Sequence, residues 1–366
     1  MTDWIAKVAA MTTQHASSVF PTTMRAAALE EVGRIAITTT RVPEPGPGEV
    51  LVRMRAVGIC GSDVHFYVDG RIGDTMATMP FVLGHEPAGE VAALGAGVAT
   101  LSVGQRVALD PALSCGQCDL CRAGRPNCCL HGRFLASPPV PGVYEEYHLF
   151  AAQQCVPIPD LISFEAAATL EPLGVALHAV TLARVRAGDR IAVMGCGPVG
   201  ILTAMVARAS GAAFVAMTDP IPERRAHAAR LVADLVLDPA DTERLPAIEA
   251  AAGEIDVTVE AAGAQAAVDD ATLLVRAGGT VAIVGIPAAE RLALWAHPLR
   301  RKEVNLIFTH RANFTLAPCI RLMERGMIDP AQVVTHRFPL EQLAEGMETV
   351  KHYRDGVLKA MVVMEG

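Results

Sequence analysis

The stretch Gly195-Cys196-Gly197-Pro198-Val199-Gly200 fits the pattern G-x-G-x-x-G and decides the fold of this chain. An apolar run at 191–194 precedes it, and a helical pattern at 199–210 follows it. Between a strand and a helix, such glycines permit a tight turn and let the backbone approach a pyrophosphate at the helix N-terminus. The motif alone is weak, and a purely structural turn is the alternative interpretation.

An acidic residue strengthens the dinucleotide interpretation. Asp219 ends the next predicted strand, where a carboxylate accepts hydrogen bonds from the adenosine ribose. It would repel a 2′-phosphate, so the sequence favours NAD over NADP. Arg224 and Arg225 leave an alternative open, because an arginine at this place accommodates such a phosphate; otherwise both belong to a solvated helix face.

The pattern of the chain changes near residue 175. Before it, short β-rich runs such as 50–57 and 105–109 are separated by turn clusters. After it, strands alternate with helices, which indicates βαβ units around a parallel sheet and an α/β fold. The predicted strands are 191–194, 214–218, 255–260, 280–284 and 358–363, and the predicted helices are 199–210, 222–231, 264–276, 317–325 and 340–351.

Composition excludes several classes of protein. The chain has 366 residues, of which 51% are hydrophobic, enough for a large core and about two domains. A formal net charge of −8 argues against a nucleic-acid partner. The uncharged run 191–207 contains the glycines and proline of the loop, so no membrane span is predicted. Residues 1–23 are predicted to be a disordered tail without a secretory signal, which favours a cytoplasmic location.

Four side chains are ligand types of an open zinc site: Cys60, His85, Glu86 and Glu171. Catalytic zinc takes three protein ligands of the cysteine, histidine and carboxylate kinds and keeps one position for water or substrate. Taken singly, each residue is better explained as a buried cysteine, a core histidine or a surface carboxylate. Only their combination with other motifs favours a metal site.

A second set of donors lies in one short segment, with the spacing C-x2-C-x2-C-x7-C: Cys115, Cys118, Cys121 and Cys129. Four thiolates can enclose Zn²⁺ tetrahedrally, which predicts a structural site. Disulfides are the competing explanation, but nine cysteines are an odd number in a chain without a secretion signal. Cys128 remains an alternative fourth ligand. Cys155, Cys196 and Cys319 are expected to be ordinary buried or loop cysteines.

Together these motifs resemble the zinc-dependent medium-chain dehydrogenases, and within them the sorbitol (polyol) dehydrogenase branch. The similarity runs from about Met24 to the C-terminal end and rests on 57–67, 70–73, 84–86, 171–173, 195–200 and 335–340. The resemblance implies a GroES-like β-rich catalytic domain at 24–174, with a zinc lobe at about 110–132. It further implies a Rossmann NAD-binding domain with a doubly wound parallel sheet at 175–310. A C-terminal segment, 311–366, would complete the catalytic domain.

The resemblance also implies roles for individual residues. Cys60, His85 and Glu86 correspond to the catalytic zinc ligands, and Glu171 to the carboxylate that binds the zinc water or replaces Glu86. Ser62 corresponds to the residue that receives the alcohol proton. By the same resemblance, His65 is the surface end of a proton relay and Asp63 orients His85. Contact with substrate is implied for four residues: Ser62, Glu171, Phe134 and Arg311.

The region of Arg311 differs by one residue in length from the usual pattern of the family. Contacts with the cofactor are implied for Gly195, Gly197, Pro198, Val199, Gly200, Asp219, Arg224, Val284, Gly285 and Ile286.

The implied activity is NAD-dependent oxidation of a secondary hydroxyl of a polyol to a ketose, with one catalytic and one structural Zn²⁺ per chain. The family implies a homotetramer or homodimer. One alternative is a threonine or other secondary-alcohol dehydrogenase of the same superfamily. Another is a non-catalytic NAD(H)-binding relative, which would not need an open zinc site.

Overall fold

The structure is a computed structural model that describes residues 20–287 and 289–364. Most of the predicted tail, residues 1–23, therefore lies outside the described residues, and the first strand begins at Thr23. No helix in the described ranges combines the length and the apolar character needed to cross a bilayer.

The first half of the chain is rich in β-strands. Its strands are β1 (Thr23–Glu31), β2 (Arg34–Arg41), β3 (Glu49–Gly58), β4 (Arg71–Ile72), β5 (Thr75–Met76), β6 (Phe81–Val82), β7 (Glu86–Leu94), β8 (Arg106–Leu109), β9 (Ala112–Leu113), β10 (Arg133–Phe134), β11 (Tyr147–Ala151) and β12 (Cys155–Pro157). Its helices are α1 (Gly61–Asp69), α2 (Asp119–Arg122), α3 (Phe164–Ala168) and α4 (Leu170–Leu182). β3, β7, β8, β11 and β12 share one antiparallel sheet, while β1, β2 and β6 form another.

The second half contains a parallel sheet with the order β15-β14-β13-β16-β17-β18. Its elements are β13 (Arg190–Met194), α5 (Pro198–Ala209), β14 (Phe214–Thr218), α6 (Pro222–Leu231), β15 (Leu235–Leu237), α7 (Arg244–Ala252), β16 (Ile255–Glu260), α8 (Gln265–Leu274), β17 (Val275–Ile283), α9 (Ala296–Lys302) and β18 (Asn305–Phe308). Helices cover both faces, so the central strands are apolar without alternation. The strand order reverses between β13 and β16, and ligands of such sheets bind at the carboxyl ends there.

Most predicted elements of this half are present, with one shift of a boundary. The helix predicted at 264–276 ends at Leu274, and β17 begins at Val275 rather than at 280. β15, α7, α9 and β18 were not predicted. β15 has only three residues, each half-buried, so the period-2 pattern that identifies a strand is too short to detect.

The end of the chain returns to the first sheet. Its elements are α10 (Leu316–Glu324), β19 (Val334–Phe338), α11 (Leu343–Lys351) and β20 (Lys359–Val363). β20 pairs antiparallel with β3, and β19 pairs parallel with β20, which completes a seven-stranded sheet. The division into 24–174, 175–310 and 311–366 stays a prediction, and its first boundary falls inside α4.

Two of the cores explain how the sites are held. One packs α1 and α11 against the seven-stranded sheet through Phe66, Met347 and Val52. Another packs α4 and α5 against the parallel sheet, with Leu173 and Ile201 fully buried. Full burial of such a side chain contributes about 1.5–3 kcal/mol. The helix that begins beside Glu171 is thus fixed against the helix that begins at the glycine loop.

Candidate active site

Cys60, His85 and Glu86 lie together, and their donor atoms are all within 4.8 Å of one another. Cys60 precedes the first residue of α1, with extended backbone angles of φ −94° and ψ 155°. His85 directly precedes β7, and Glu86 is the first residue of that strand, paired with Gly58 of β3. A thiol, an imidazole and a carboxylate fit the donor chemistry of Zn²⁺ with an open position.

Asp63 holds two of these donors in place. Its Oδ1 accepts a hydrogen bond from Gly84 N at 3.0 Å and lies 3.4 Å from His85 Nδ1. Its Oδ2 accepts from Cys60 N and from the Tyr144 hydroxyl, each at 3.0 Å. A carboxylate at Nδ1 of a histidine fixes the ring and leaves Nε2 free for a metal.

The electrostatics of this group are set by burial and by close charges. Burial works to raise the pKa of Asp63, but the His85 charge and hydrogen bonds from backbone N–H groups outweigh it, so the pKa is lowered. Burial works to lower the pKa of His85, but Asp63 and Cys60 outweigh it and hold that pKa well above its ordinary value. Burial, together with Asp63, keeps the pKa of Tyr144 well above its ordinary value.

Glu86 has a second buried partner that the sequence did not indicate. Lys359, at the start of β20, donates from Nζ to Glu86 Oε1 at 2.6 Å. No local motif surrounds Lys359, and only the pairing of β20 and β7 with opposite sides of β3 places its side chain beside Glu86.

Glu171 lies in the first turn of α4 and is buried, but it is not a member of the three-donor group. Burial raises its pKa to about 7, with His85 opposing the shift and Glu86 adding to it. It is close enough to both residues for their charges to act on it. Sequence spacing left open which glutamate stands with Cys60 and His85; the geometry groups Glu86 with them.

Ser62 and His65 occupy different positions on α1. Ser62 Oγ lies 3.4 Å from His85 Nε2, so its hydroxyl faces the donor group. The His65 side chain is 46% exposed, and its Nδ1 lies 3.8 Å from Asp69 Oδ2. The first is therefore next to the site and the second is at the surface.

Phe134 and Arg311 meet beside the donor group. The rings of Phe134 and His85 have centroids 5.6 Å apart, and the Arg311 guanidinium carbon lies 4.2 Å from the centroid of the Phe134 ring. Arg311 has a left-handed backbone with φ 56°. Burial lowers its pKa, and the charge of Glu171 opposes this shift. Of the residues that the resemblance placed near substrate, Phe134 thus lies close to His85, and Arg311 packs on Phe134.

The four-sulfur group comprises Cys115, Cys118, Cys121 and Cys129. Neighbouring sulfurs lie between 3.4 Å and 4.0 Å apart. All nine cysteines of the chain are free of disulfides. Backbone N–H groups of Cys121 and Leu130 lower the pKa of Cys118 to about 6, which favours the thiolate that binds metal. Cys128 is not a member of this group.

The glycine loop has the geometry of an anion site at a helix N-terminus. Gly195, after β13, has φ 117°, and Gly197 directly precedes α5, whose first residue is Pro198. A Cβ on Gly200 would lie 2.0 Å from Gly195 O, so only glycine allows helix and turn to approach this closely. Val199 stands with Pro198 in the first turn, where backbone N–H groups are free for a ligand.

Asp219 lies at the end of β14 and is buried next to the loop. Its Oδ2 accepts from Cys196 N at 2.8 Å, and its Oδ1 accepts from Ile221 N at 2.9 Å. Each carboxylate oxygen has two acceptor positions, so further donors such as ribose hydroxyls can still bind. Arg225 donates to Asp219 O at 2.6 Å and forms an ion pair with Asp238 at 3.0 Å.

The turn after β17 contains Val284, Gly285 and Ile286. Val284 N and Gly285 N donate to Glu260 O at 2.8 Å and 3.0 Å, which ties this turn to the end of β16. Glu260 also accepts from Ala262 N at 2.8 Å through its buried carboxylate. Glu260 was not singled out from the sequence, because it is an acidic residue at a strand end without a recognised spacing.

Comparison with known families and proteins agrees with this arrangement. Residues 46–160 match the alcohol dehydrogenase GroES-like domain, and residues 198–325 match the zinc-binding dehydrogenase family. A sorbitol dehydrogenase of Bacillus subtilis (strain 168) is 38% identical over 344 residues, which is 93% of this chain and 98% of that protein. The chain belongs to the zinc-dependent medium-chain dehydrogenases. An L-arabinitol 4-dehydrogenase of Talaromyces emersonii is 38% identical over 87% of this chain and 85% of its own length.

Solved structures of such dehydrogenases share the whole architecture. A protein from Sinorhizobium meliloti 1021, described as a zinc-binding dehydrogenase and bound to NADP, has a TM-score of 0.86 and 31% identity, covering 94% of this chain and 100% of its own. The expected combination of a Rossmann sheet and a GroES-like β-rich part is thereby confirmed. The chain is a dehydrogenase of this family.

Proposed function

We propose that this dehydrogenase oxidises a secondary hydroxyl of a polyol to a ketone, with transfer of a hydride to NAD⁺ and release of a proton. The observation that carries the proposal is the group of Cys60, His85 and Glu86 with Glu171 and Arg311 beside it. The names of the sorbitol and L-arabinitol relatives give the substrate class.

The catalytic zinc would be held by Cys60, His85 and Glu86, with Glu171 beside the open position. Bound there, zinc supplies a Lewis acid that lowers the pKa of a coordinated hydroxyl. Ser62, whose Oγ is 3.4 Å from His85 Nε2, accepts the hydroxyl proton as it releases its own. The released proton would reach solvent by way of His65, on the exposed side of α1. Asp63 keeps the His85 ring in one orientation.

The protein's part in hydride transfer is to hold the carbinol carbon against the nicotinamide and to exclude water. Phe134 supplies an apolar wall next to His85. Glu171 and Arg311 provide a carboxylate and a guanidinium for the hydroxyls next to the reacting carbon. A site with such buried polar groups rejects alcohols that leave them unpaired.

The dinucleotide is proposed to bind at the carboxyl end of the parallel sheet. The loop Gly195 to Gly200, with Pro198 and Val199 in the first turn of α5, would take the pyrophosphate. Asp219 would bind the adenosine ribose, and we favour NAD because its carboxylate repels a 2′-phosphate. Arg224 and the turn Val284 to Ile286 complete the proposed contacts. The second zinc would be structural, held by Cys115, Cys118, Cys121 and Cys129.

A homodimer or homotetramer and a cytoplasmic location, both predicted from the sequence and the family, belong to the same proposal. The alternatives are a dehydrogenase of threonine or of simple secondary alcohols, and a non-catalytic NAD(H)-binding relative.

Initial rates with sorbitol, xylitol, L-threonine and 2-propanol, followed by NADH absorbance, test the proposal. We expect the polyols to be preferred. We expect Cys60→Ser to abolish turnover while the protein stays folded and keeps its structural zinc. Preference for threonine or 2-propanol would overturn the polyol assignment, and activity of Cys60→Ser close to that of the parent would overturn the zinc assignment. NADH binding without activity on any alcohol would support the non-catalytic relative.

A further inference from the structure

Arg224 has an unusual place at the edge of the glycine loop. It lies in the first turn of α6 and is half-buried. Its Nη1 is 3.8 Å from the position that a Cβ on Gly197 would occupy. Within the described part of the chain its Nε is buried without a hydrogen-bond partner. The neighbouring Arg225 is instead fixed by Asp219 O and Asp238. The guanidinium of Arg224 therefore faces the loop with at least its Nε–H donor unpaired.

An aromatic ring from a distant part of the chain holds this guanidinium. The Arg224 guanidinium carbon lies 4.4 Å from the ring centroid of Tyr353, in the loop between α11 and β20. Tyr353 has a left-handed backbone, φ 52° and ψ 36°, a conformation that is unfavourable for a non-glycine residue. Its side chain is about half exposed, so burial in a core does not explain the conformation.

The rest of this loop is also docked on α6. His227 Nε2 lies 3.1 Å from Gly356 O, and a Cβ on Gly356 would be 3.6 Å from Glu223 Cγ. The loop therefore contacts the first two turns of α6 through Gly356 at His227 and through Tyr353 at Arg224. The C-terminal segment, which also provides the strand beside β3, thereby contacts the nucleotide-binding half.

We infer that Tyr353 is a positioning residue for the dinucleotide, because it holds Arg224 against the glycine loop where the phosphate-bearing half of the cofactor binds. The inference rests on the dinucleotide site proposed above. A free arginine side chain loses rotamer entropy when it binds a ligand, and a side chain already held in place loses less. Among the described residues Arg224 forms no ion pair with Asp219, whose carboxylate oxygens accept from Cys196 N and Ile221 N.

Titration of the full-length, zinc-loaded protein with NADH, followed by nucleotide fluorescence, measures the effect. Competition with ADP-ribose, which lacks the nicotinamide, shows whether the effect lies in the ADP-ribose half of the cofactor. We expect Tyr353→Ala to raise the Kd of both ligands about three- to fivefold, the size of one partly exposed cation–π contact. Tyr353→Phe keeps the ring and should keep the affinity. Arg354→Ala, the matched control on the same exposed loop, should also bind like the parent.

The mechanism predicts three further results. Tyr353→Ala should leave kcat at saturating NAD⁺ unchanged, because Tyr353 contacts Arg224 and is not a member of the group of Cys60, His85 and Glu86. Arg224→Ala should raise Kd about tenfold, since it removes a charged donor to a phosphate. The double variant with Tyr353→Ala and Arg224→Ala should have the same Kd as Arg224→Ala.

If Tyr353→Ala bound NADH with the Kd of the parent, or raised the Kd equally in the Arg224→Ala background, the inference would be overturned. The proposed function would still stand. Failure of the parent to bind NADH would overturn the proposed function, and this inference with it.

Discussion

Lys359 and Glu86 form an ion pair that is almost wholly withdrawn from water, with side chains 3% and 1% exposed. Gly58, on the strand between them, leaves the necessary space: a Cβ there would lie 1.9 Å from Glu86 Oε2. Burial works to lower the pKa of Lys359, but the charges of Glu86 and Cys60 outweigh it and raise that pKa. The carboxylate of Glu86 is thus stabilised by a fixed cation as well as by any metal.

The loss of stability on removing the Lys359 cation should therefore depend on whether catalytic zinc is bound. In Lys359→Met, a protein with catalytic zinc keeps a cation next to Glu86, whereas one without it has a buried, unpaired carboxylate. Breaking a buried pair on one side costs about 3–5 kcal/mol. We expect Lys359→Met to lower the thermal midpoint clearly in a Cys60→Ser background, which lacks catalytic zinc, and much less in the parent. Equal shifts of the thermal midpoint in the two backgrounds would contradict the idea that Lys359 and zinc both stabilise the Glu86 carboxylate.

The sequence predicts those parts of the molecule that are local in the chain. The alternation of strands and helices after residue 175 predicts the parallel sheet, and the glycine loop with Asp219 at the next strand end predicts a dinucleotide site on it. The four cysteines likewise lie in one short segment. Each of these signals depends only on neighbours along the chain, and the structure has the predicted strands and helices around the loop and groups the four cysteines.

Long-range contacts are different. Lys359 is 273 positions from Glu86, and Tyr353 reaches Arg224 from another part of the fold. Neither residue has a periodicity or spacing that indicates its partner. Their positions follow from strand pairing and from packing of a loop on α6, which depend on the whole fold.

Cys128 and Cys129 are adjacent and provide a matched pair of variants. The sulfur of Cys129 lies 3.4 Å from that of Cys115, whereas Cys128 is outside the four-sulfur group. We expect Cys129→Ser to lose the structural zinc and to lower the thermal midpoint, because bound metal stabilises the folded lobe. Cys128→Ser should keep both zinc and midpoint. Zinc content by atomic absorption decides the point, and the reverse pattern would identify Cys128 as the fourth ligand.

Asp219 should control the choice of cofactor. In Asp219→Asn the amide keeps the shape of the side chain, but only one of its two ends accepts hydrogen bonds, so Cys196 N or Ile221 N loses an acceptor. An unsatisfied buried donor costs about 1–3 kcal/mol. We expect the KM for NAD⁺ to rise about tenfold, with a smaller change for NADP⁺, because the charge that repels a 2′-phosphate is gone. Steady-state kinetics with both cofactors tests this, and an unchanged NAD⁺/NADP⁺ ratio would count against a ribose role.

Glu86 and Glu171 should respond differently to the same isosteric change. Glu86 lies in the donor group with Cys60 and His85, so Glu86→Gln replaces an anionic ligand by a neutral amide. We expect it to lower the content of catalytic zinc. Glu171 lies outside that group, and its proposed role is to bind substrate hydroxyls or the zinc water. Glu171→Gln should therefore keep zinc while kcat/KM for a polyol falls at least tenfold. Measuring metal content and polyol kinetics on the same preparations separates the two roles. Loss of zinc from Glu171→Gln, with full zinc retained by Glu86→Gln, would exchange the assignments of these two carboxylates.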